Sequence, residues 1–205
     1  MRLRILVIAP DKLPIPPVKG GSVETCIDTI FRRMARKDDV TIVSCTHPKL
    51  PKTSVRGKLR IVRVPYPDAR TYLRAALRKT KGRRYDVIQV ENRPTFVPEV
   101  RRAFPRTPIV LSLHSLTFLS RLSRKRADAV LRRVNGVTCV VKFVAGTYRR
   151  KFPRHVHKFK EHLLGVDTDK FKPRSTAYKR KLRRRWGVVG HINLLFVGRI
   201  IRRKG

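Results

Sequence analysis

Carboxylates are scarce in this sequence: 13 Asp and Glu stand against 51 Lys and Arg, a formal charge of +38. Cysteine is scarcer still. Cys26, Cys45 and Cys139 form no C-x-x-C pair, which argues against a disulfide frame and a thiolate metal centre and for small apolar thiols in a reducing compartment. No apolar run approaches the ~20 residues needed to span a bilayer. The N-terminal apolar run is short and leads into Asp11, Lys12 and prolines rather than a small-residue cleavage site, so it does not read as a signal peptide and a cytoplasmic location is expected. Aromatics are also few, with one Trp and five Tyr, so the arginine runs lack the interleaved stacking partners of sequence-specific RNA readers. No Ser/His/Asp array and no Gly-x-x-x-x-Gly-Lys-Ser/Thr phosphate loop is present.

What remains is enough for a globular body. The chain has 205 residues, 41% of them hydrophobic, which suffices for one well-buried domain and the start of another. The stretch that organises it is the first: Arg4 to Ala9 reads as a strand buried on both faces, prolines 10, 14, 16 and 17 forbid regular structure after it, and Gly20-Gly21 permits a tight turn. Ser22 is a candidate N-cap for a helix whose apolar stripe is Val23, Ile27, Ile30, Phe31 and Met34. In such a strand–loop–helix unit the free N–H groups of the first helical turn can hold a phosphate or a sugar hydroxyl; the glycine pair alone is equally compatible with a plain turn.

Strands are then expected at 40–45, 59–64 (edge or half-exposed), 86–90, 109–113, 137–141 and 162–166, and helices at 69–81, 96–104, 118–134 and 143–152. Alternation of this kind predicts an α/β fold with a doubly wound parallel sheet covered on both faces. Residues 1–174 form the expected domain, 175–190 a basic linker and helix, and 191–205 the opening strand of a second domain, Ile192 to Val197. Residues 101–205 hold 29 Lys or Arg against Asp128, Glu161, Asp167 and Asp169, a surface that would bind polyanions or an anionic membrane surface in a salt-dependent, nonspecific way. A general compositional preference for Arg would account for that charge as well.

Ligands of open parallel sheets collect beyond the carboxyl ends of the strands. Three loops place polar groups there: Lys19-Gly20-Gly21 with Glu24 one turn on, Glu91-Asn92-Arg93-Pro94, and His114-Ser115. A histidine directly after a buried strand suits hydrogen bonding to substrate or proton transfer, or else is a structural histidine satisfied by backbone. Glu91 could orient a sugar hydroxyl or cap the next helix. His155, His157 and His162 lie in carboxylate-poor, basic surroundings without a fourth ligand, and are expected to be solvated or phosphate-facing, so no metal site is assigned.

Four motifs, Pro17-x-x-Gly20-Gly21-x-x-Glu24, the post-strand His114, Gly165-Val166-Asp167-x-x-x-Phe171-x-Pro173 and Phe196-Val197-Gly198-Arg199-x-x-x-x-Lys204-Gly205, together resemble the retaining family 4 glycosyltransferases of the GT-B fold. Asp11-Lys12-Leu13-Pro14 and Asn92-Arg93-Pro94-x-x-Val97-Pro98 are similar to its spore-coat-associated members. The resemblance implies two Rossmann-like domains facing across a cleft, of which this chain supplies the N-terminal, acceptor-side one and only the first strand of the donor-binding one. It implies sugar transfer from a nucleoside-diphosphate sugar to a glycan or envelope acceptor, with no further cofactor. His114 would lie near the transferred sugar; Gly20, Gly21, Glu24, Glu91, Asn92 and Ser115 would bind substrate; Arg199 and Lys204 would neutralise the diphosphate in place of a metal. Spore-coat association, a separately encoded C-terminal half, and inability of this truncated chain to complete catalysis alone are further expectations. A noncatalytic polyanion-binding or spore-coat structural protein is the alternative.

Overall fold

The computed structural model describes residues 1–198, Ile200 and Arg202. Two compact units divide the chain, Met1–Leu164 and Gly165–Gly205.

The first unit is built on one sheet of eight strands in the order β3-β4-β2-β1-β5-β6-β7-β8. The strands are β1 (Arg4–Ile8), β2 (Asp39–Cys45), β3 (Thr53–Arg56), β4 (Leu59–Val64), β5 (Val87–Glu91), β6 (Ile109–Leu113), β7 (Gly136–Cys139) and β8 (Phe159–Glu161). All neighbours pair in parallel except β3 with β4. The helices are α1 (Ser22–Met34), α2 (Ala69–Thr80), α3 (Val97–Ala103), α4 (Thr117–Ser120), α5 (Arg124–Arg133) and α6 (Lys142–Lys151). From β1 the chain winds outward through β2 and β4, then returns and winds the other way from β5. The order therefore reverses between β1 and β5, where the loops diverge and leave a crevice at the carboxyl ends.

β1 shows why the sheet must be covered twice. Leu6 and Ile8 enter one core with Tyr72, Ile88 and Leu111, whereas Ile5, Val7 and Ala9 enter the other with Ile15, Ile27 and Phe31. Period-two alternation of apolar side chains on both faces is what a central parallel strand requires. α1 turns Ile27 and Phe31 onto the second core, and α2 turns Tyr72, Leu73 and Ala76 onto the first.

Several expectations are corrected. β4 is not at an edge, because the unforeseen β3 pairs outside it. Arg63 is consequently buried, and its guanidinium donates to the Ile15 carbonyl at 3.0 and 2.7 Å, the Pro51 carbonyl at 2.7 Å and Ser54 Oγ at 2.9 Å. The basic helix expected over 118–134 is two helices, since Ser123 leaves helical geometry and caps α5. The last strand of this unit lies at 159–161 rather than 162–166, because the Phe159 ring stacks on Tyr148 at 5.8 Å and fixes the pairing of β8 with β7. The N-cap of α1 is Gly21 rather than Ser22, and no side chain caps that helix. His155 is not solvated: it is buried, with Nε2 2.8 Å from Asp128 Oδ1. Cys45 and Cys139 are buried and Cys26 is half-buried, all three as free thiols.

Among the described residues of the second unit there is one α-helix, α7 (Thr176–Arg185), capped by Ser175 and without a buried residue. The strand expected at 192–197 is not formed. Ile192, Leu194 and Leu195 are 94%, 96% and 86% exposed, since a strand needs a neighbour to bond its backbone. Arg199 and Lys204 lie outside the described residues. Among those described, no helix is long and apolar enough to cross a membrane.

Candidate functional site

Three remote segments meet at the carboxyl ends of β1, β5 and β6. Parallel pairing sets Glu91, the last residue of β5, beside Ser112 of β6, and the chain then carries His114 just past the sheet edge. His114 Nε2 lies 3.0 Å from Glu91 Oε2 and 3.5 Å from Ser112 Oγ. Gln89 Nε2 donates to the other Glu91 oxygen at 2.5 Å. Both members of the pair are largely buried, with side-chain exposures of 11% for His114 and 3% for Glu91. A carboxylate oxygen accepts, so Nε2 is the donor of this contact, and in the neutral ring Nδ1 is left as an acceptor.

Asn92 holds the turn that follows. It adopts φ 53°, a left-handed conformation that asparagine tolerates better than most side chains. Its N–H donates to the Ser112 carbonyl at 2.8 Å, and its Oδ1 accepts from the His114 backbone N–H at 3.4 Å. Asn92 is buried, so it positions His114 from beneath. Ser115 is half-buried and its Oγ accepts from the Thr117 N–H at 3.3 Å, which ties it into the start of α4.

The glycine loop approaches from α1. Gly20 and Gly21 have φ of +82° and +136°, so both use backbone freedom that glycine alone supplies. Glu24, one turn into α1, folds back beneath the loop: a Cβ built on Gly21 would lie 2.4 Å from Glu24 Oε2. Burial pushes the Glu24 carboxyl above its usual range; its own N–H, Arg93 and His114 oppose the rise, and Glu91 adds to it. Those influences put Glu24, Glu91, Arg93 and His114 within electrostatic reach of one another. Burial, reinforced by Glu91 and Glu24, likewise raises the Cys26 thiol.

Sequence reasoning missed the pair that braces this rim. Asp11, after β1, accepts from Arg93 Nε, after β5, at 2.5 Å, and the Arg93 guanidinium lies 4.5 Å over the Phe118 ring. The available signal was that both residues directly follow buried strands, but nothing in the chain says that β1 and β5 are neighbours. A cavity of about 240 Å³ opens beside the His114–Glu91 pair, lined by Glu91, Ser112, His114 and His162 and by Ile27 and Met34 of α1. Among the described residues, no group of three or more metal-ligating side chains converges.

The sequence pattern of Glycosyltransferase Family 4 matches residues 20–170. Spore coat protein SA of Bacillus subtilis is 29% identical over 208 residues, covering 99% of this chain and 54% of the relative. YtcC of the same bacterium is also 29% identical, over 99% of this chain and 50% of its own length. The chain thus spans about half the length of the curated relatives it matches. Among solved structures, the catalytic domain of starch synthase IV from Arabidopsis thaliana, bound to ADP and acarbose, superposes with a TM-score of 0.67 at 14% identity, over 94% of this chain and 61% of that one. HepE from Anabaena in complex with UDP-glucose gives 0.63 at 15% identity, over 92% of this chain and 51% of that one.

Proposed function

The chain belongs to Glycosyltransferase Family 4, and from that premise we propose that it is the acceptor-side half of an enzyme that moves a sugar from a nucleoside-diphosphate sugar to a glycan or envelope acceptor, with retention at the anomeric carbon. The observation that carries this is the His114–Glu91 pair, at 3.0 Å, on the rim where the strand order reverses. Glu91 fixes the tautomer and orientation of His114, and His114 Nδ1 accepts from a hydroxyl of the transferred sugar. The uncapped N–H groups of α1, below Gly20 and Gly21, hold a sugar hydroxyl or a phosphate oxygen. Glu24 and Asn92 support these two elements from beneath, and Ser115 contributes a hydroxyl to the bound substrate. Arg199 and Lys204 stabilise the charge that develops on the diphosphate leaving group, the part a metal would otherwise take.

The test is sugar-nucleotide turnover by this chain joined to, or mixed with, the donor-binding half of a longer relative. Release of nucleoside diphosphate is expected, with an α-linked product from an α-linked donor. His114→Ala should lower the rate by a factor of about a hundred or more, the order of a lost general-acid or orienting group. No turnover with any common sugar nucleotide would overturn the assignment.

The +38 charge favours one second reading, a noncatalytic polyanion-binding or coat-structural protein. It requires binding to nucleic acid or anionic glycan that collapses between low and moderate salt. Binding that survives high salt would count against it.

A further inference from the structure

A separate cavity of about 330 Å³ lies between the first turn of α5 and the end of α6, lined by Arg124, Lys125, Asp128, Lys151, Arg154 and His155 together with Phe152 and Pro153. It shares no lining residue with the cavity at His114. Its one carboxylate is already engaged: Asp128 accepts from His155 Nε2 at 2.8 Å and pairs with Arg132 through the following turn of α5. The His155 hydrogen bond, aided by Arg132, holds that carboxyl below its usual range. Arg154 also lies within electrostatic reach of that carboxylate, so Asp128 offsets part of its charge and leaves Arg124, Lys125 and Lys151 as the positive excess on the rim.

Four like charges around one concavity repel one another, and the low-dielectric walls concentrate their field. Arg124 and Lys125 also occupy the first turn of a ten-residue helix, where the peptide dipoles already present positive charge and an acidic side chain would be the stabilising choice. An anion seated among them relieves both conflicts. The guanidinium groups of Arg124 and Arg154 match the oxygen geometry of a phosphate in bidentate fashion, and Lys125 and Lys151 act as point charges.

We infer that this cavity is a binding site for a phosphate group, held by Arg124, Lys125, Lys151 and Arg154 over the His155–Asp128 pair, and separate from the rim proposed to carry sugar transfer. The phosphate belongs either to a soluble phosphorylated molecule or to a lipid headgroup.

The experiment uses the full 205-residue chain at physiological ionic strength. Inorganic diphosphate binding is measured by calorimetry, and vesicle binding is measured with phosphatidic acid in phosphatidylcholine against phosphatidylcholine alone. The pair Arg124→Gln, Arg154→Gln is compared with a charge-matched pair on α7, Arg180→Gln, Arg184→Gln; all four side chains are exposed. The cavity pair should lose at least about tenfold in affinity and the α7 pair less than about twofold, because only the former removes directed charge-assisted contacts. A cavity-specific loss for diphosphate alone assigns a soluble ligand, and a cavity-specific loss on phosphatidic acid vesicles assigns a headgroup. Equal losses from the two pairs in both arms overturn the site. If the first pair lowers Tm, Lys125→Gln with Lys151→Gln gives the same comparison.

Discussion

Gly21 offers a perturbation whose cost separates into two measurable parts. Its φ of +136° is essentially closed to L side chains, and an added Cβ would stand 2.4 Å from Glu24 Oε2 and 3.0 Å from Leu13 Cδ1. The backbone part of the cost of Gly21→Ala is about 1–3 kcal/mol and belongs to that residue alone. The contact part belongs to the pair. The Glu24 carboxylate can swing aside, but the side chain is only 4% exposed and its neighbours must give way. That displacement corresponds to a coupling of about 0.5–1 kcal/mol, at the lower end for touching residues. Gly20 supplies the control: at φ +82° a Cβ there meets nothing within 4 Å, so Gly20→Ala carries a backbone penalty only. Urea unfolding of Gly20→Ala, Gly21→Ala, Glu24→Ala and the Gly21→Ala, Glu24→Ala double variant gives every term. Gly21→Ala should be the most destabilised of the single glycine variants, and the double variant should recover the coupling. If Gly21→Ala costs no more than Gly20→Ala, or the cycle closes without coupling, the packing of Glu24 beneath the loop is refuted.

Glu24→Gln tests the same carboxyl through pH. Burial raises its pKa, so the fold favours the protonated form; that advantage is complete below the ordinary glutamate range and is lost as pH rises through the raised value. The variant should therefore unfold at higher urea than the parent at pH 7, with the difference shrinking as pH falls through the raised value and gone below about 4. Asp86 behaves oppositely. Its bonds with the Arg4 side chain and N–H lower it to about 2, so its contribution is present above the ordinary aspartate value and disappears as pH falls toward about 2. Asp86→Asn should flatten the acid limb of a stability–pH curve. Arg63→Met should destabilise by about 3 kcal/mol, because the buried carbonyls of Ile15 and Pro51 lose their donor while the apolar stem is kept; a Tm unchanged from the parent would mean that water replaces the guanidinium.

The sequence alone determined the alternation of strands and helices, because period-two and period-3.6 apolar patterns are local: β1, α1, α2 and β6 stand where the side chains of Ile5–Ile8, Ile27–Phe31, Tyr72–Ala76 and Ile109–Leu113 put them. It also marked Glu91, Asn92 and His114, since polar residues at the ends of buried strands have a crevice as their natural place, and Glu24 through the glycine loop before it. What it could not supply was adjacency. β3 is four residues with one half-buried side chain, too weak a pattern to recognise, yet its pairing turns β4 into an interior strand and buries Arg63. The Asp11–Arg93 bridge exists only because β1 and β5 are neighbours, and the Asp128–His155 pair only because α5 packs near the segment that follows α6. Residues 192–197 carry as strong a strand pattern as β1, but a strand is stabilised by the partner that bonds its backbone, and no described strand pairs with them. Local pattern selects the kind of element; long-range hydrogen bonding and burial decide which elements exist and which side chains meet.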